Sequence, residues 1–250
     1  MNRLLTHKAG PYLVFLLVSL IYVPRSVGAD FTTSQNPDPI ESNQLQTEQK
    51  PFGLPFEGEP GPESWYIIQY YGNTQGAYRY REEWYQAGQG LHFGLDLAAR
   101  CQTPIVAIGD GEIAKVDGLE HGAGPHNLLI KHDDGMISLY GHLYEKASVT
   151  PGQRVVRGEV VGLSGDPDGT CTSRPHLHLE IRSENYGAAY NPIDYIEADW
   201  DALALFGPSS RFQRDLDNPR RWQTLYDQPD VDFWGPMLND FEQGWPPDQQ

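Results

Sequence analysis

The sequence predicts an all-β protein, mainly antiparallel, with an irregular or partly helical C-terminal extension. Three observations point there. Between residues 64 and 197 the chain is written in short β-branched and aromatic runs such as "PIVAIGDGEIAKVDG" and "NLLIKHDDGMISLYGHL". Asp110-Gly111 and Asp134-Gly135 sit between such runs as tight-turn signals. No apolar period of 3.6 is sustained anywhere in this region, which excludes a helical domain.

Taken in order, the first segment is "MNRLLTHKAGPYLVFLLVSLIYVPRSVGAD". Arg3 and Lys8 precede an apolar run from Tyr12 to Val23, and the small residues Val27, Gly28 and Ala29 follow. This reads as a secretory signal peptide over residues 1–29. The alternative, a retained anchor, needs a run of roughly 20 apolar residues, and this one is shorter. No cysteine stands at the cut to carry a lipid. Residues 30–61 are rich in Pro, Gln, Ser, Asn and acids and have no period, so they read as a disordered linker. Residues 62–198 form the β domain. Residues 199–250 are acidic and carry Trp200, Trp222, Trp234 and Trp245. This tail reads as an extension that packs its aromatics on the β domain, with a binding appendage as the alternative. No internal repeat is present, which argues against a solenoid or propeller.

The chain has 250 residues, is 39% hydrophobic and has a formal net charge of −16. Removing residues 1–29, which hold three basic residues and no acid, makes the charge −19. Such acidity excludes a phosphate-binding nucleic-acid protein, since that function rests on clustered Lys and Arg. The two cysteines, Cys101 and Cys171, both lie in the exported part. Export permits a disulfide between them, worth about 4 kcal/mol on the chain-entropy estimate. The rival reading, two metal ligands, is weaker because neither belongs to a close Cys pair.

In "RPHLHLEIR", Leu177, Leu179 and Ile181 alternate with His176, His178 and Glu180. On a strand, alternate residues share a face, so one face is apolar and the other carries two imidazoles and a carboxylate. "LHFGLDL" repeats the pattern, with Leu91, Phe93, Leu95 and Leu97 opposed to His92, Gly94 and Asp96. On a flat strand His92 and Asp96 would lie roughly 13 Å apart, too far to share one ion. A shared ion therefore requires a bend, and Gly94 is placed to allow it. Alone, a His-x-His pair is more often a packing feature than a ligand pair. Glu180 fits either an imidazole-orienting carboxylate or an exposed strand acid, and Trp84 and Tyr85 fit either a cleft wall or the core. His121, His126 and His132 fall at loop and turn positions that tolerate histidine, His126 being the one placed at a loop tip.

The order "GLHFGLDLAARCQTPIVAIGDGEIAKVDG", "LYGHL", "VTPGQRVVRGEVVGLSG", "RPHLHLEI" resembles the lysostaphin/LytM-type zinc metallopeptidases over roughly residues 90–195. The resemblance implies a β-sandwich or roll of the duplicated hybrid motif type and a peptidoglycan endopeptidase with one zinc ion per chain. Residue by residue, it implies His92, Asp96 and His178 as zinc ligands and His142 and His176 as catalytic histidines. Peptidoglycan peptides are then the substrate, the site of action is outside the cell or in its envelope, and the protein acts as a monomer that meets a membrane only through its transient signal peptide. The sequence departs from the family pattern in "SGDPDGTCTSRPH", where Arg174 stands in place of a glycine and Cys171 is inserted. Cys101 likewise follows the first motif closely, so a bridge would brace the site. Two other functions are weighed beside the enzyme: an inactive relative that activates another cell-wall hydrolase, and a wall-binding module using the Trp-rich tail.

Overall fold

The computed structural model describes residues 49–207, 211–215, 218 and 220–240. The expected signal peptide, the first part of the expected linker and Trp245 lie outside these residues. In chain order the strands are β1 (Trp65–Gln69), β2 (Leu95–Ala99), β3 (Pro104–Val106), β4 (Gly111–Val116), β5 (Leu128–His132), β6 (Ile137–Gly141), β7 (Arg154–Val155), β8 (Val160–Leu163), β9 (His176–Arg182), β10 (Ala188–Tyr190) and β11 (Val231–Asp232). Two short helices, α1 (Gln75–Arg79) and α2 (Trp200–Leu203), interrupt them. The main sheet runs β1-β2-β9-β6-β5-β4-β7, with β10 pairing the far end of β9 and β11 pairing β10; β3 and β8 form a second, two-stranded sheet. Every pairing between these strands is antiparallel, so the expected class is observed. No helix among the described residues is long and apolar enough to cross a membrane.

The longest strand, β9, is the centre of the sheet and is buried along its whole length. Its apolar side chains continue those of its neighbours: Ile67, Leu97 and Leu177 lie in one cross-strand row, and Leu95, Leu179 and Tyr140 in another. All six belong to the main hydrophobic core. Each such side chain contributes about 1.5–3 kcal/mol on burial, which fixes the register. A slip of one residue would turn His176, His178 and Glu180 into that core.

The segment expected to run as one strand from Leu91 to Leu97 bends instead. Regular pairing begins at Leu95, whereas Leu91 packs in a separate cluster with Tyr71, Ala189 and Val231. His92 is held outside the sheet by two backbone bonds to Gly72, Gly72 N–H to His92 O at 2.7 Å and His92 N–H to Gly72 O at 2.9 Å. Gly94 lies at the bend. A Cβ there would come within 2.7 Å of both His178 Cε1 and the Leu179 carbonyl oxygen, so the missing side chain makes room for a neighbouring ring and strand.

Two boundaries differ from the expectation. Residues 49–61, read as linker, join the domain: Phe52 and Phe56 are buried in the core, and Phe52 exchanges backbone bonds with Tyr195 and Glu197. Two large aromatics suffice to anchor a segment whose average composition is polar. In the tail, Trp200 is buried and donates its indole N–H to Ile196 O at 3.2 Å, but Trp222 and Trp234 are 55% and 77% exposed. Phe212 and Phe233 pack against the domain, and amides share the anchoring: Asn73, in the turn beside His92, donates its backbone N–H to Gln228 Oε1 at 2.7 Å and its Nδ2 to Gln223 Oε1 at 2.9 Å, and its Oδ1 accepts from Asn239 Nδ2 at 3.2 Å.

Cys101 and Cys171 are disulfide-bonded, with Cα atoms 5.9 Å apart and a sequence separation of 70. The bridge ties the turn after β2 to the loop before β9. Replacing both cysteines by serine is expected to cost about 4 kcal/mol and to lower the melting temperature by roughly 8–16 °C. Thermal unfolding of the two proteins followed by circular dichroism measures this, and equal melting temperatures would remove the bridge from the account of stability.

Candidate metal centre

Asp96 on β2 and His178 on β9 are direct cross-strand partners, and Gly141 at the end of β6 faces His178 from the other side. The glycine leaves that flank without a side chain. His92 enters from the bend, so three elements converge. His92 Nε2 lies 3.2 Å from Asp96 Oδ1 and 3.3 Å from His178 Nδ1, and His178 Nδ1 lies 2.8 Å from Asp96 Oδ1. All three residues are buried. They are the only group of three or more such side chains among the described residues whose ligand atoms approach this closely. Four donors at zinc bond lengths of about 2.0–2.1 Å in a tetrahedron stand about 3.3 Å from one another, so the two longer separations fit edges of such a polyhedron and the third is at hydrogen-bond distance.

The donor chemistry passes the same test. His92 Nδ1–H donates to the Tyr70 carbonyl at 2.8 Å, which leaves the Nε2 lone pair turned towards the Asp96 oxygen. Two acceptors at 3.2 Å repel unless a cation lies between them. His178 directs Nε2 to Glu180 Oε1 at 3.1 Å and Nδ1 inward. Glu180 is itself fully buried and held by Arg182, whose Nε and Nη2 donate at 2.5 and 3.0 Å. Outward hydrogen bonds of this kind set the tautomer and aim of a ligating imidazole. His92, Asp96 and His178 therefore fit a single zinc ion.

The charges agree. Burial alone pushes the His178 imidazolium down, yet hydrogen bonds to Asp96 and Glu180 outweigh it and raise its pKa to about 9. Burial likewise opposes ionisation of Asp96 and Glu180, but the surrounding imidazoles hold Asp96 well below the usual carboxylate range and Arg182 does the same, less strongly, for Glu180. The pocket thus favours positive charge between its carboxylates. Glu180→Gln is expected to weaken zinc binding about 10–100-fold, read from competition with a calibrated chelator; unchanged affinity would demote the Glu180 contact to packing.

His142 and His176 stand beside these three. Their rings are 4.9 Å apart, and His142 is 5.7 Å from His178. His176 is on the same face of β9, opposite Ala98, whereas His142 follows β6 in the left-handed region at φ 56°. There the backbone has turned, and the imidazole points back over the sheet end. Each donates Nδ1–H to a carbonyl, His142 to Gly124 at 2.5 Å and His176 to Arg174 at 2.6 Å, leaving Nε2 as the acceptor. Burial, and then the neighbouring imidazoles of His178 and His176, lower the His142 pKa to about 4, so this ring is neutral at pH 7. The five residues line one open cleft of about 1250 Å³, with Trp84 and Tyr85 in its wall. Tyr85 accepts from Gln69 Nε2 at 3.2 Å.

The three remaining histidines among the described residues serve structure. His121 stacks on Tyr186, His126 pairs with Asp117, and His132 bridges Asp110 O and Ser138. Sequence reasoning missed Arg182 and the carbonyls of Tyr70 and Gly124. A carbonyl's position carries no side-chain signature, and Arg182 has its role only because Glu180 is buried.

Residues 90–192 match the model described as Peptidase family M23. Among curated proteins, the chain is 30% identical over 111 residues to the glycyl-glycine endopeptidase ALE-1 of Staphylococcus capitis, covering 44% of this chain and 30% of that protein. It is 32% identical over 114 residues to the murein hydrolase activator NlpD of Escherichia coli, covering 46% and 28%. The chain thus spans less than a third of the length of either relative. Among solved structures, the catalytic domain of the prophage-encoded M23 protein EnpA from Enterococcus faecalis has a TM-score of 0.44 at 29% identity, covering 57% of this chain and 96% of that one.

Proposed function

Given that this chain carries a Peptidase family M23 domain over residues 90–192, we propose that it is a zinc metalloendopeptidase hydrolysing peptide bonds in peptidoglycan, with His92, Asp96 and His178 as ligands and His142 and His176 as catalytic residues. One observation carries the reading: the buried His92, His176 and His178 each direct one nitrogen to a fixed partner and turn the other towards Asp96, while the half-buried His142 is fixed in the same way through Gly124 O beside them. A structural histidine cluster has no need of three ring nitrogens aimed at one carboxylate. The similarity to ALE-1, a glycyl-glycine endopeptidase, supports peptide-bond hydrolysis.

Zinc, when bound, supplies Lewis-acid polarisation of the scissile carbonyl. His142 and His176 do the proton work. One Nε2 takes the proton of the attacking water, and the proton so gained, carried on one of the two rings, then passes to the leaving amine. Their Nδ1–H bonds to fixed carbonyls orient both rings with Nε2 free of those partners. Residues 1–29 direct export to the envelope in this reading, supported by the Cys101–Cys171 bridge, which belongs to oxidising compartments.

Similarity to NlpD supports a second reading, activation of another hydrolase. All five site positions are filled, which favours the enzyme. The test is release of new amino termini from purified cross-linked peptidoglycan by the zinc-loaded chain. Release that stops on chelation and returns with zinc is expected. No release by the chain alone, together with acceleration of an added cell-wall hydrolase, would favour the activator.

A further inference from the structure

The cleft extends well beyond the five site residues, and its wall is aromatic and cationic. Trp84 stacks on Tyr80 with ring centroids 4.1 Å apart and planes at 16°. The Arg174 guanidinium lies 5.8 Å from the Trp84 ring centroid, and that of Arg79 lies 5.3 Å from Tyr80. Both arginines and both aromatics line the cleft. Among the described lining residues Asp96 is the sole carboxylate, and its Oδ1 is turned to His92 and His178.

Arg79 and Arg174 thus have no acidic partner within 4.0 Å among the described residues. Four other arginines pair with acids: Arg81 with Glu82, Arg100 with Glu63, Arg154 with Asp133, and Arg221 with Asp215 and Asp227. With a formal net charge of −16, the protein as a whole repels anions. An anionic ligand is drawn to a cavity whose arginines stand without an acidic partner. A cation–π contact at this range keeps a guanidinium beside the ring while leaving N–H groups free for a carboxylate. Arg174 is also coupled to the chemistry, because its own carbonyl accepts the His176 Nδ1–H.

We propose that Arg174 and Arg79, held against Trp84 and Tyr80, form a carboxylate-binding subsite that selects peptides bearing a free carboxylate near the scissile bond over their uncharged counterparts. The proposal rests on the peptidase reading above. It makes both arginines specificity determinants.

The test uses the full zinc-loaded chain and one peptidoglycan preparation, half of it treated with carbodiimide and ammonia to turn its free carboxylates into carboxamides. The wild type is expected to cleave the untreated half with kcat/KM roughly 10–100-fold above the amidated half, the range for loss of a charge-assisted hydrogen bond. In Arg79→Gln/Arg174→Gln this ratio should fall towards one, and Arg174→Lys should keep part of it. A merely structural role would lower both rates and leave their ratio in place. Equal wild-type rates on the two halves, or a ratio unaltered in the double variant, would overturn the subsite and leave the peptidase reading standing. No cleavage of untreated material under zinc-replete conditions would overturn both.

Discussion

His178→Ala should lose zinc and peptide-bond hydrolysis together, with activity falling at least about 10³-fold, several kcal/mol of transition-state stabilisation. Of the three proposed ligands, His178 is the one whose two ring nitrogens touch both carboxylates of the site, Asp96 inside and Glu180 outside. Its loss removes a metal donor and leaves two buried acids without their shared partner, at about 1–3 kcal/mol each. The fold should survive, because Leu177, Leu179 and Ile181 hold β9 from the opposite face. Metal content and turnover, measured beside a circular dichroism spectrum, check this. A variant that folds, keeps stoichiometric zinc and turns over at the wild-type rate would displace His178 from the ligand set.

His142→Ala and His176→Ala should act differently. Each is expected to lower kcat about 10²–10⁴-fold, the usual contribution of a positioned acid or base, while retaining bound zinc. The expectation follows from placement: neither Nε2 is among the three converging ligand atoms, yet both rings border the same cleft. Since His142 is neutral at pH 7, it is ready to accept a proton without first losing one. Zinc counted per chain in each variant, set against steady-state kcat, separates the roles. Loss of zinc in step with activity in either variant would mark that histidine as a ligand.

The chemistry of the site was legible where it is local. Alternation in "RPHLHLEIR" put His176, His178 and Glu180 on one face because strand geometry has a period of two whatever the fold around it. The requirement for a bend at Gly94 followed from distance alone, although the steric reason, the His178 ring and the Leu179 carbonyl filling the space, needs the neighbouring strand. Register between β2 and β9 is non-local, so the direct pairing of Asp96 with His178 was beyond periodicity. The segment from residue 49 to 61 misled through its average: Phe52 and Phe56 carry its docking while the polar residues around them set its composition. In the tail Trp200, Phe212 and Phe233 pack on the domain as expected, whereas Trp222 and Trp234 are exposed, since tryptophan content does not determine exposure. Asn73 receives Gln223, Gln228 and Asn239 in a buried amide cluster, and the adjoining Gly72 holds the backbone of His92.

The most direct measurement is zinc K-edge absorption on the full chain purified under zinc-replete conditions. One zinc per chain, bound by two imidazole nitrogens and a carboxylate oxygen at about 2.0–2.2 Å, is the predicted result. A chain that retains no zinc, or a zinc coordinated by sulfur, would contradict the assignment of His92, Asp96 and His178 as the metal centre.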